Sequence, residues 1–420
     1  MKKFLFWWSI LLRLRRQVKS KKNQIEILFI KVKNTFIMLQ DWEKLVQKQL
    51  KTENIYEILS KENLEGIVVK PYYDSVAKPL QNLPKVEEST HLVSPYHENL
   101  EENVFAFLLE NNVEGLTEKV IFVNNKDLSE HILIEEENRY FSLVDVFSDD
   151  HFGEIDEQLA KELLEKDFDR NICINISLHQ NAGASILQQL AVALAKTKDL
   201  AEIFGAEILS KIIFKFAIGG NYFFEIAKLR AFKLLFNQLS KEFDQDEIPY
   251  IFAETSLRNK SVSDADNNLI RATLELSAAM IGGADAVFSN NYKIENSTTL
   301  SEEISFKQQI VLAYESIVNV FDDAGNGSYY IEDITQQLAE KSWQLFLEIE
   351  NSGGYTSSLK TGWIQRKVHE QAVKEQNWVE EGKMKLIGVN LYPKLEKTKS
   401  IEELYDSSVI KAVRLSEMFE

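Results

Sequence analysis

Two side chains at the ends of apolar runs could carry acid–base chemistry, His179 and Glu254. General acid–base catalysis needs a titratable group whose pKa can be tuned, and histidine serves this purpose most often. The sequence shows no partner for His179, and a single carboxylate such as Glu254 is more often a hydrogen-bonded rim residue. Neither residue defines a reaction by its type alone.

The remaining reactive residue types form no further site in the sequence. The other histidines are His91, His97, His131, His151 and His369. They lack metal-ligand spacing, and the chain carries no P-loop, Ser/His/Asp arrangement or paired-carboxylate motif. The single cysteine, Cys173, lies in an apolar run, which excludes an internal disulfide framework and a cysteine metal cluster. One buried thiol fits a reducing cytoplasm, where we expect the protein.

A repeat of strand and helix patterns must position these residues. Apolar, strand-like runs begin near residues 172, 212, 250 and 284, and an amphipathic helical pattern follows each of the first three. Spacings of roughly 30 residues or more are expected for successive βα units. Such a repeat predicts an α/β protein, either a (β/α)8 TIM barrel or a doubly wound sheet. We favour the barrel, because none of the turns carries a dinucleotide glycine fingerprint.

Composition and length bound the function. The 420 residues carry a net charge of −17, which disfavours nucleic-acid binding because no domain-scale basic face is visible. Residues 1–37 differ from the rest: the apolar stretch Phe4 to Leu12 is too short to span a bilayer, and basic residues follow it. We interpret 1–37 as a gene-model extension before Met38; a basic membrane-surface leader is the alternative.

The predicted domain organisation has three parts after Met38. Residues 38–100 form an N-terminal helix and an extended arm, which wraps either its own barrel or a partner. Residues 101–393 form the barrel, with its first strands between 101 and 170. A turn and a short strand are predicted over 322–331. Residues 394–420 form a linker and a helix over 401–419.

Several motifs, in order, carry a resemblance to a known family. They are FAIGGNYFFEIAKLRAFKLLF, ETS with DADNNLIRATLELSAAMIGGADAV, GNGSYYIE, NSGGY and IGVNLYP. These closely resemble the barrel domain of cobalamin-dependent methylmalonyl-CoA mutases over residues 170–393, and GIVVKPYYD extends the likeness weakly to Gly66 to Asp74. The resemblance implies a (β/α)8 barrel threaded by a CoA ester, a separate cobalamin domain, and radical isomerisation of methylmalonyl-CoA and succinyl-CoA.

The departures from that family pattern fall on its reactive positions. Phe252 and Phe288 stand where the family has histidine, and phenylalanine can neither donate a proton nor hydrogen-bond a thioester oxygen. The family segment that supplies the catalytic tyrosine is absent, and Tyr96 is no convincing substitute. The Asp-x-His-x-x-Gly cobalamin motif is not found, so we expect the cobalamin-binding domain to be absent.

This combination resembles the small (beta) subunit of heterodimeric methylmalonyl-CoA mutase. The resemblance implies a catalytically silent isomerase subunit of propionate metabolism, with no catalytic, cofactor or metal residues of its own. Its partner is the large catalytic subunit, which holds adenosylcobalamin, and the arm clasps that partner. The sequence leaves open whether this barrel binds acyl-CoA. The alternative is an active acyl-CoA mutase barrel served by a separately encoded cobalamin subunit, with His179 and Glu254 as the residues to test.

Overall fold

The computed structural model describes residues 39–75, 80, 82–98, 104–149 and 153–420. The predictions for residues 1–37 and the histidine at position 151 lie outside these ranges. Contacts divide the chain into two units, one comprising Met1–Asn63 with Val68–Asp74 and the other Leu64–Ile67 with Ser75–Glu420. No helix among the described residues is long and apolar enough to cross a membrane.

The described part of the first unit is a small helical and extended segment. It contains α1 (Leu39–Leu50), α2 (Ile55–Leu59), β1 (Lys61–Glu62) and β2 (Val68–Val69), and the two strands pair antiparallel. Trp42 stacks on Tyr72 with ring centroids 5.4 Å apart, and the Tyr56 hydroxyl donates to Glu43 at 2.6 Å. These contacts order the helix and extended chain that the sequence predicts for this region.

Eight parallel strands form the centre of the second unit. They are β3 (His91–Pro95), β4 (Ala106–Leu109), β5 (Val120–Val123), β6 (Arg139–Ser142), β7 (Ile172–Asn175), β8 (Ile212–Ile218), β9 (Tyr250–Thr255) and β10 (Ala286–Phe288). The sheet order is β6-β5-β4-β3-β10-β9-β8-β7, with every neighbour parallel. Bridges from Phe141 to Arg170 and from Asp145 to Cys173 join the two edge strands. The predicted (β/α)8 barrel is therefore confirmed as a nearly closed barrel.

Helices surround the strands and follow most of them. They are α3 (Lys126–His131), α4 (Glu157–Leu164), α5 (Ser177–Asn181), α6 (Ile186–Phe204), α7 (Tyr222–Glu242), α8 (Ala265–Ile281), α9 (Thr299–Ile310), α10 (Tyr329–Asn351), α11 (Gly354–Lys360), α12 (Trp363–Glu380) and α13 (Ile401–Leu404). Polar side chains cap the start of two long helices: Ser185 with Gln188 forms a capping box at α6, and Asp264 accepts from Asn267 at α8.

Side chains that alternate along the strands fill the inside of the barrel. Successive residues of a strand point to opposite faces, so Tyr250, Phe252 and Glu254 all face inward along β9. The buried inner cluster comprises Val93, Ala106, Val120, Phe122, Phe141, Leu143, Cys173, Ile213, Tyr250, Phe252 and Ala286, with Leu108 and Phe288 packed against it. Cys173 is fully buried there, as predicted, and burial raises the pKa of its thiol. The barrel axis is thus an apolar, aromatic core.

Three elements differ from the sequence predictions. The first barrel strand, β3, starts at His91, inside the segment predicted as arm, because a five-residue run ending in Pro95 gives a short signal. The predicted strand near 330 is helical, since Ser328 caps α10 by accepting from Ile331. The predicted helix over 401–419 ends at Leu404. Asp406 accepts from the Ser408 backbone, which competes with helix formation.

Candidate functional site

The two phenylalanines that replace family histidines lie inside the barrel. Phe252 sits in the middle of β9 and is 1% exposed, with its ring centroid 5.0 Å from that of Phe122. Phe288 is the last residue of β10, and its ring stacks on Phe252 at 6.4 Å. Strand register places Phe288 beside Glu254. Aromatic packing therefore occupies the positions from which the resemblance would have imidazoles act.

Glu254 lies one layer above Phe252, towards the carboxyl end of β9. Its Oε2 is 3.1 Å from Nζ of Lys215, which faces inward from β8. Both side chains are only about a tenth exposed. Glu254 is therefore an ion-paired side chain at the end of β9. This ion pair sits on top of the aromatic core.

His179 belongs to a different cluster. It lies in α5, directly after β7, and is fully buried, with Nε2 3.0 Å from the Tyr355 hydroxyl. Tyr355 in turn donates to Asp149 Oδ1 at 2.6 Å. No hydrogen bond or ion pair joins His179 to Glu254 in the described structure, and each has its own partner.

Lys196 neutralises the carboxylates of this cluster. Its Nζ lies 2.7 Å from Asp149 and 3.2 Å from Asp145, and the side chain is fully buried in α6. Burial by itself lowers a lysine pKa, but the two aspartates outweigh it and raise the pKa of Lys196. Asp145 also accepts from the Asn175 backbone at 2.9 Å. The cluster is thus a buried ion-pair network that ties the segment after β6 to β7 and α6.

Burial lowers the pKa of His179 to about 4, so the imidazole is neutral near pH 7. Because the unfolded state binds its proton near pH 6.5, stability is fully present above that pH and falls as pH drops towards 4. We expect this residue to cost about 2 kcal/mol at pH 5 relative to pH 7.5. Urea unfolding of wild type and His179→Gln at both pH values measures it. An equal loss in both proteins would contradict the assignment.

A cavity of about 340 Å³ opens at the carboxyl ends of β3, β4 and β10. Its wall combines apolar and polar side chains, including Tyr96, His97, Leu108, Phe288, Asn290 and Glu302. His97 pairs with Glu302 at 3.0 Å, and Tyr96 packs edge-on against Phe107. Tyr96 therefore lines the cavity at the barrel mouth, and its ring also packs against Phe107.

Buried aromatic side chains fill the part of the barrel axis that the structure describes. Phe122, Phe141 and Tyr250 are all buried at that axis together with Phe252. Among the strand-end histidines that the structure describes, His179 is held by Tyr355 and His97 by Glu302. Among the described residues, no group of histidine, cysteine and acidic side chains is suited to a metal ion.

Sequence reasoning missed the two lysines that organise the strand ends. Lys215 interrupts the apolar strand IIFKFAI, and Lys196 interrupts the apolar helix AVALAK. A charged residue within an apolar run is the signal that could have identified them, because buried lysines require partners. Their acidic partners Asp149 and Glu254 are distant in sequence and could not be assigned without the fold.

The family model and the known proteins that resemble this chain all carry the name of one family. The methylmalonyl-CoA mutase family model matches residues 165–418. A methylmalonyl-CoA mutase of Rhizobium meliloti (strain 1021) is 32% identical over 254 residues, which cover 57% of this chain and 36% of that protein. The methylmalonyl-CoA mutase small subunit of Porphyromonas gingivalis is 36% identical over 233 residues, covering 52% of this chain and 37% of that protein.

A large subunit from the same Porphyromonas gingivalis strain is also similar, at 31% identity over 188 residues, 43% of this chain and 26% of that protein. The matches thus span about a third of the length of these relatives, or less. The family model nevertheless covers more than half of the present chain. The chain therefore belongs to the methylmalonyl-CoA mutase family.

Proposed function

We propose that this chain is the catalytically silent small subunit of a heterodimeric methylmalonyl-CoA mutase. The observation that carries the proposal is Phe252, which fills the barrel where the family resemblance places an imidazole. Phe288 stacks on it, so both substituted positions belong to one packed core. A radical isomerase needs a preorganised polar site for substrate and cofactor, and these residues provide none.

The packed axis also argues against acyl-CoA binding in this barrel. Protein interiors are packed as densely as organic crystals, so a chain of pantetheine width would have to displace several aromatic rings. Phe122 contacts both Phe141 and Phe252 at centroid distances of 5.0 Å. The Lys215–Glu254 pair closes the layer above them. We expect CoA esters to bind to the partner and not to this chain.

The proposed partner is the large catalytic subunit. Small and large subunits named for one Porphyromonas gingivalis strain support a two-chain enzyme. In this proposal the large subunit holds adenosylcobalamin and interconverts methylmalonyl-CoA and succinyl-CoA in the cytoplasm, as part of propionate metabolism. The small chain contributes stability and assembly, with its arm clasping the partner.

The test measures kcat of the two-subunit complex with His179→Gln or Glu254→Gln in this chain. We expect both variants to stay within about twofold of wild type, because neither side chain meets substrate. Removing a general acid or base costs about a hundredfold or more. A loss of that size would instead support the alternative, an active barrel served by a separately encoded cobalamin subunit. Assays of co-eluted complex keep the subunit ratio equal among the variants.

A further inference from the structure

An exposed apolar surface lies at the amino-terminal end of the barrel, opposite the carboxyl strand ends. We define it as the base patch: Val86, Val311, Tyr314, Ile317, Val320 and Phe321, each at least two-fifths exposed. Tyr314 is 69% exposed. Single exposed apolar residues are normal, but a contiguous group of this kind marks an interaction site.

Hydrogen bonds hold the two loops that carry the base patch side by side. The Asn319 carbonyl accepts from the Thr90 backbone at 3.0 Å and from Lys85 Nζ at 2.9 Å. Leu83 donates to Asp323 at 3.2 Å. The loop over 82–90 therefore runs beside the segment over 311–323. Thr90 directly precedes β3, which fixes the patch at the strand starts.

The backbone holds the apolar side chains of this patch in an uncommon conformation. Residues Val311–Glu315 form a π-helical turn closed by Ser316 N–H donating to the Val311 carbonyl. Ile317 then adopts a φ of 55° while its side chain stays half exposed. A β-branched residue in the left-handed region is strained by about 1–2 kcal/mol. Strain of this kind and π-turns concentrate at functional sites.

Charge determines what kind of surface can cover the patch. Among the described residues of the two loops, the exposed charged side chains are Glu88, Glu315 and Asp322, all acidic. A second copy of a chain with net charge −17 would oppose acid to acid. The complementary surface is therefore an apolar centre with a basic rim on a different protein.

We infer that the base patch is the surface on which this chain docks its large-subunit partner, with Tyr314 as the central anchor. This inference rests on the proposed function, which supplies that partner. Exposed tyrosine is a frequent energetic anchor when an interface desolvates it. Docking at the strand starts leaves the carboxyl strand ends of this barrel uncovered.

The test compares two doubly substituted chains for binding to the large subunit by size exclusion and titration calorimetry. The base variant is Tyr314→Lys with Ile317→Lys. The matched control is Ile270→Lys with Leu274→Lys, on the outer face of α8, where the side chains are 60% and 55% exposed. Both variants add the same charge to exposed positions, and circular dichroism checks that both remain folded.

We expect the base variant to bind the large subunit about a hundredfold more weakly, and the control to bind as wild type does. Wild-type affinity in the base variant would overturn the inference while leaving the proposed function intact. Loss of binding in the α8 control would also overturn it and move the interface to the barrel wall. A wild-type homodimer abolished by the base substitutions would assign the patch to a second copy. Failure of the wild-type chain to bind the large subunit would refute the proposed function, and this inference with it.

Discussion

Replacing Phe252 by histidine is expected to destabilise the protein by about 2–4 kcal/mol without creating isomerase activity. The substitution removes ring contacts with Phe122 and Phe288 and places polar nitrogens in an apolar core. The inner cluster itself offers only the Tyr250 hydroxyl, and Lys215, the register partner of Phe252, is already paired with Glu254. Urea unfolding and a methylmalonyl-CoA isomerisation assay of the variant measure the two effects.

Phe252→Leu is the matched control for that experiment. Leucine is apolar but smaller, so it loses the ring contacts without burying polar atoms, and it is expected to cost about 1–2 kcal/mol. A histidine variant as stable as the leucine variant would show that the site tolerates a polar group. Isomerisation by the histidine variant alone would show that the barrel needs only this residue to act. Either result would contradict our account of a closed, inert core.

Replacing Lys196 by methionine is expected to cost about 3–5 kcal/mol of stability. Methionine preserves the length and the apolar contacts of the side chain but removes its charge. Asp149 and Asp145 then remain as buried carboxylates without the cation that lies 2.7 and 3.2 Å from them. Thermal and urea unfolding measure this loss of stability. The difference between wild type and variant should become smaller at low pH, because the carboxylates take up protons.

Lys198→Met, in the same helix, controls for the loss of a lysine. Lys198 is 28% exposed and pairs with Glu350 at 2.8 Å, near solvent. Such pairs contribute less than about 1 kcal/mol. Similar losses at positions 196 and 198 would show that burial of the Asp149 cluster does not determine the effect.

The sequence predicted the barrel because strands and helices alternate at a regular spacing. The catalytic silence inferred from Phe252 and Phe288 at motif positions stays a prediction. The sequence could not place β3, since a short strand next to proline gives little periodic signal. It also could not find the network around His179. The Tyr355 hydroxyl bonds to Asp149 across 206 positions of sequence, which only the closed barrel brings together.

The pairing of Lys215 with Glu254 also could not be predicted from the sequence. Each residue is conspicuous in its own strand, but the ion pair depends on neighbouring strands of the barrel and on inward alternation along both. Sequence reasoning therefore listed Glu254 as a candidate base, whereas the structure gives it a cation partner. The sequence predicted most helices and strands, but it could not predict the polar contacts between residues that are distant in sequence.

Co-elution with the large subunit tests the central claim most directly. A tagged chain over residues 38–420 and the untagged large subunit from the same source are expressed together, separated by size exclusion, and assayed with methylmalonyl-CoA and adenosylcobalamin in every fraction. We predict that this chain alone is inert and that activity elutes with a complex of both chains in equal amounts. Turnover of a CoA ester by this chain alone, or its elution apart from an active large subunit, would contradict the account.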